Sequence, residues 1–140
     1  MERTSAAART RVKIRMRWGS LARGQPGGAV TATLATTPTT RRLLRALPIT
    51  STAKRWGDEV YFEVPVKALL EPDARDVVEP GTVCFWVEGS SLAIPFGPTP
   101  ASRASECRLV ARVNVLGCLE GDPQQLATVL DGEVIRVERA

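Results

Sequence analysis

At 140 residues, 44% hydrophobic and 24% charged, the chain has the size and balance of a soluble globular domain and is neither fibrous nor low in complexity. Its net charge of +4 is lopsided: Met1–Arg23 holds seven basic residues and one acid, or +6, and the remainder holds twelve and fourteen, or −2. It contains no histidine, which excludes His-based zinc sites and every Ser-His or Cys-His catalytic pair and lowers the expectation of a hydrolase.

No apolar run approaches the ~20 residues of a membrane-spanning helix, and the N-terminus lacks the apolar stretch of an export signal. Cys84, Cys107 and Cys118 form no C-x-x-C pair, and an odd count without an export signal points to reduced thiols in the cytoplasm. No metal and no cofactor is expected.

Residues 1–10, rich in Arg, Ser and Ala, read as a disordered tail, and 11–140 as the folded domain. Arg11–Trp18 alternates without a fault, Val12, Ile14, Met16 and Trp18 on one face and Arg11, Lys13, Arg15 and Arg17 on the other, which predicts a half-buried strand. Its basic face could track phosphates. No aromatic residue is interleaved there to stack bases, so a solvated face that discourages edge pairing is favoured and nucleic acid is not the expected partner. Gly24, Pro26, Gly27 and Gly28 form a loop into a second strand over Ala29–Leu34, without the Lys-Ser/Thr ending of a phosphate-binding loop.

Thr37-Pro38 caps and opens a first helix through Leu47, stopped by Pro48. Ile49–Arg55 reads as extended, Glu59–Val64 as a strand, Asp73–Val78 as a turn of helix, and Thr82–Val87, Leu92–Phe96 and Arg108–Leu116 as strands. Asp122-Pro123 opens a second helix to Leu130, and Asp131-Gly132 turns into a last strand, Glu133–Val137. About eight short strands and two short helices predict a mainly β fold that closes into a barrel or stacks as a sandwich.

Six of the seven aromatic residues lie between Trp56 and Phe96. Within and after that stretch stand W-G-D-E-V-Y-F (Trp56–Phe62), E-P-G-T-V with F-W (Glu79–Trp86), F-G-P-T-P (Phe96–Pro100) and V-N-V-L-G (Val113–Gly117). In order and spacing these resemble a prokaryotic cyclophilin-like protein family of unassigned function, over roughly residues 11 to 138. The resemblance implies a closed antiparallel eight-stranded barrel with a short helix over each opening. Prolyl isomerases of the cyclophilin type carry an Arg followed five, six and eight residues later by Phe, Met and Gln; here Arg55 is followed by Val60, Tyr61 and Glu63. An isomerase reading would therefore rest on Arg55 alone, with Glu63 a possible neutralising neighbour.

The candidate ligand-binding residues are Arg55, Tyr61, Trp86, Phe96, Thr99 and Asn114. Alternation sends Tyr61 and Phe62 to opposite faces, so Phe62 is expected inside and Tyr61 outside, and it leaves Phe85 and Trp86 undecided. Tyr61 with one of that pair could line an exposed groove for a small molecule or proline-containing peptide; packing beneath a loop is the alternative. Thr99 and Asn114 could bond a ligand or satisfy local backbone groups. Trp56 is expected to plug a barrel end, and Asp58 and Glu59, neighbours on a strand, diverge too far for a shared-proton pair.

Overall fold

The computed structural model describes residues 10–19, 24 and 27–140. Apart from Thr10, the expected tail lies outside these residues, as does most of the loop after Trp18. Strand β1 (Arg11–Trp18) keeps its predicted alternation, with Ile14, Met16 and Trp18 buried and the four basic residues exposed. It pairs along its whole length with β2 (Gly28–Ala35), from Arg11 opposite Ala35 to Trp18 opposite Gly28. Helix α1 (Pro38–Ala46) follows, its first turn capped by Thr37, whose hydroxyl accepts from the Thr40 N–H at 3.1 Å.

Ile49–Thr52 (β3) and Lys54–Arg55 (β4) are two parts of one bent stretch, parted only by Ala53. The remaining strands are β5 (Glu59–Glu63), β6 (Arg75–Val78), β7 (Thr82–Trp86), β8 (Ser91–Pro95), β9 (Cys107–Leu119) and β10 (Val134–Arg139). Neighbours run β3-β10-β1-β2-β9-β7-β8-β5-β4, all antiparallel. Because β3 and β4 are consecutive, the two ends of this series meet, and the sheet comes round on itself as the expected mainly β barrel. Counted with β3 and β4 as one bent strand, the barrel has eight. Closure leaves no long unpaired edge.

The two helices among the described residues sit at opposite ends. The Ala35 end of β2 leads into α1, which buries Leu43 in the core. At the Gly28 end, Trp18 donates its indole N–H to Thr128 in the helix Pro123–Thr128, which with the following turn buries Leu126 and Val129. This second helix is a 3₁₀ helix of six residues rather than an α-helix to Leu130. Asp122 caps it and Pro123 opens it as expected, but it is too short to settle into i→i−4 bonding.

One predicted element changes type. The helical turn expected near Asp73–Val78 is strand β6, because Val77 and Val78 find partners on β9, opposite Arg108 and Cys107. β9 is thirteen residues long and serves two purposes. Its second half pairs with β7 and β2 inside the barrel wall, while its first half pairs with β6. The β6–β9 flap folds over the outer face of β5, β8 and β7, so Cys84 and Ala93 of the wall pack with Val78, Cys107, Leu109 and Val113 of the flap. The chain thus holds a main core inside the barrel and a smaller one outside it.

The recognised motifs interlock at one corner. Asp58 N–H donates to the Pro98 carbonyl and Phe96 N–H to the Asp58 carbonyl, tying W-G-D-E to F-G-P-T-P. Gly57 adopts φ +59°, and a Cβ there would lie 2.9 Å from Pro100 and 3.1 Å from the Pro98 oxygen, so only glycine turns this corner unstrained.

Candidate functional site

Cross-strand pairing decides which aromatic residues face which way. Phe62, Leu92 and Phe85 stand side by side across β5, β8 and β7, all fully buried in the barrel. The outward set is therefore Tyr61, Ala93, Cys84 and Trp86, one residue out of phase. Trp86 is half-buried and lies edge-on to Tyr61, ring centres 6.4 Å apart at 80°. Gly89 packs against the Trp86 ring so closely that a Cβ would come within 2.3 Å of it, which holds the indole on the outer face.

Between these rings and the flap is a cavity of about 150 Å³ lined by Trp56, Glu59, Tyr61, Trp86, Ala93, Leu109, Val110 and Val113. Trp56 does not plug the barrel. Its N–H donates to the Glu59 carbonyl, so both residues lie on the outer face, opposite to Arg55 and Val60. Glu59 is 5% exposed, and its Oε1 is sealed from solvent without a hydrogen-bond partner. Burial pushes its carboxyl up from 4.5 to about 7. Burial likewise raises the Cys84 and Cys107 thiols beside it, so neither is a ready nucleophile. Glu59 is the residue that sequence reading passed over. Its signal was present, because an acid two residues before Tyr61 on a strand shares the face of that ring.

The other expected residues lie elsewhere. Arg55 faces the barrel end, opposite Val60, and its guanidinium sits 5.0 Å over the Phe96 ring. It donates to the Val129 carbonyl at 3.0 Å and to the Gly57 carbonyl at 3.2 Å, and pairs with Asp58 at 3.6 Å rather than with Glu63. Phe96 is buried in the main core. Arg55 and Phe96 thus form one group and Tyr61 and Trp86 another, on opposite faces of the wall.

Thr99 is buried in the turn after β8. It accepts from the Ala101 N–H, donates to the Arg108 carbonyl and holds Ser102. Asn114 is fully buried at the α1 end, donating to Thr39 Oγ1 at 3.0 Å and the Leu69 carbonyl at 2.9 Å while accepting from the Glu71 N–H at 2.7 Å. Its amide clamps the segment before β6 to the helix. Asn114→Ala is expected to lower unfolding free energy by about 1–3 kcal/mol, since it removes the buried bond to Thr39 and the part-buried bonds to the Glu71 N–H and Leu69 carbonyl; urea denaturation measures it. Among the described residues no group of three His, Cys, Asp or Glu side chains is placed to hold a metal ion, and no helix is long and apolar enough to cross a membrane.

The geometry defines a class: a closed antiparallel β-barrel that carries an aromatic pocket on its outer wall beneath a β-flap. The cyclophilin-like family model matches residues 22–138, and the chain belongs to that family. The solution structure of a hypothetical protein from Archaeoglobus fulgidus is similar to it, with 36% identity and a TM-score of 0.74 over 92% of this chain and 95% of that one. No curated protein matches this chain significantly.

Proposed function

We propose that the protein binds a small molecule, or a single side chain of a short peptide, in the outer-wall pocket, with little or no prolyl isomerase activity. One observation carries the reading: two rings at right angles and a buried carboxylate converge on a cavity that is open to solvent at exposed Val110. A concave apolar site with one converging polar group is the usual form of a ligand pocket. The volume is near the ~150 Å³ of an engineered cavity that accepts benzene, so the bound group is compact.

The isomerase alternative draws no support from the position of Arg55. A catalytic guanidinium must be free to donate to the prolyl amide, whereas this one is held by the Gly57, Ala127 and Val129 carbonyls and an aspartate on the far side of the wall from Tyr61. In a protease-coupled assay on proline peptides the expected rate is the uncatalysed one; clear acceleration that disappears in Arg55→Ala would overturn this reading. Nor is the basic strand an open phosphate stripe. Lys13 pairs with Glu120 at 3.1 Å and Arg17 with Glu138 at 3.3 Å, which places carboxylates among the cations. We place the protein in the cytoplasm of a prokaryote, on its three free thiols and its archaeal relative.

A further inference from the structure

Glu59 poses a chemical question that the rest of the fold leaves unanswered. Its Oε1 is buried and unpaired, yet among the described residues no Lys or Arg forms an ion pair with it. Arg55 is turned to Asp58 and the backbone, and Arg108 is held by Asp76 and by Glu106, at 2.9 and 2.6 Å. A buried polar oxygen without a partner destabilises a fold. A site that holds one beside a cavity is built for a partner supplied from outside.

The walls narrow the chemistry. Trp56, Tyr61 and Trp86 line the cavity with aromatic surface, Tyr61 and Trp86 nearly perpendicular. Aromatic faces attract cations and repel anions. An anionic ligand would meet the carboxylate, and a purely apolar one would leave Oε1 as unpaired as before. An organic cation suits both components: its alkyl groups pack on the rings and on Leu109 and Val113, and its charge lies against Glu59.

We propose that the pocket recognises an alkylammonium head group, free or at the end of a side chain, with Glu59 as counter-ion and Trp56, Tyr61 and Trp86 as its cage. This deepens the ligand-pocket reading and rests on it.

The test is an NMR titration of the full chain, followed at the three indole N–H signals, with choline and with its neutral isostere 3,3-dimethylbutan-1-ol. Choline is expected to shift Trp56 and Trp86 but not Trp18, which is bonded to Thr128 at the barrel end. The neutral alcohol should bind roughly tenfold more weakly, and Glu59→Gln should weaken choline by a similar factor. Trp86→Leu should weaken choline as well, as a second variant independent of the acid. A peptide with one trimethyllysine forms the third arm: tighter binding than choline assigns the head group to a side chain, weaker binding to a free alkylammonium ion. Equal binding of choline and the alcohol, or indifference to Glu59→Gln, overturns the cation and leaves the pocket reading standing. If none of the three probes shifts Trp56 or Trp86, both are wrong.

Discussion

Replacing Glu59 by Gln is expected to remove a fall in stability of about 3 kcal/mol that the native chain shows between pH 5 and pH 8. The unfolded carboxyl titrates near 4.5 and the folded one at about 7, so between those values the folded state holds a proton that the unfolded chain has released. Stability tied to Glu59 is therefore complete below the lower value and is lost as pH rises through the upper one. Nothing nearby compensates in that range, since burial keeps the adjacent Cys84 and Cys107 thiols neutral. Three acids nearer the surface act in the opposite sense at lower pH: Arg108 lowers Glu106, Thr33 and then Lys13 lower Glu120, and Arg136 lowers Glu138. They do so alike in both proteins, so the difference between native and Glu59→Gln curves isolates the buried group. In thermal melts the gap between the two should widen by roughly 10 °C from pH 5 to pH 8. Parallel curves would show that the carboxyl is not desolvated.

The second large effect is expected at Gly117. A Cβ there would lie 2.0 Å from the Thr33 carbonyl oxygen and 2.8 Å from Leu34 Cα. Both atoms are backbone, so no side chain can rotate aside, and the β2–β9 rungs Leu34–Gly117 and Thr33–Cys118 must open. That seam is where β9, having left the flap, enters the barrel wall. Gly117→Ala should cost about 3–4 kcal/mol in urea denaturation, beyond ordinary overpacking because the strain falls on a ladder instead of a rotamer. Amide exchange should accelerate first at Thr33 and Cys118. A midpoint close to the native one would mean that the two strands are further apart than described.

Both experiments touch residues that the chain announces unequally. Gly117 stands in V-N-V-L-G, one of the four motifs that carry the family resemblance, and its place against β2 explains why that position is glycine. The corner of Trp56–Glu59 and Phe96–Pro100 is similar: two motifs far apart in sequence prove to be hydrogen-bonded to each other. Glu59 drew attention only as a neighbour of Asp58. Reading the face it shares with Tyr61 would have marked it, but its lack of an ion pair among the described residues is a property of packing.

The six residues expected to bind ligand divide along the same line. Tyr61 and Trp86 line the pocket, whereas Arg55 and Phe96 lie across the wall, Asn114 clamps α1, and Thr99 holds a turn. Spacing from Arg55 to Tyr61 is even, six residues, which in a continuous strand would put both on one face. The turn at Trp56–Asp58 breaks that count, because β4 and β5 are separate antiparallel strands and Arg55 pairs with Val60. Periodicity holds only while the strand is uninterrupted.

From its own order of residues the chain determined its strands other than β6, its caps and its class, since alternation, Pro after Thr or Asp, and Gly at corners act within a few residues. It determined too that Phe62 would face away from Tyr61. Register between strands distant in sequence lay beyond such local rules: whether Phe85 or Trp86 points inward depends on which of them stands beside Leu92. The flap, the cavity under it and the solitary carboxylate in that cavity depend on β9 pairing with β6 at one half and the barrel at the other. One long strand thus divides its partners between flap and wall, so the site is a product of pairing between distant segments and not of any one of them.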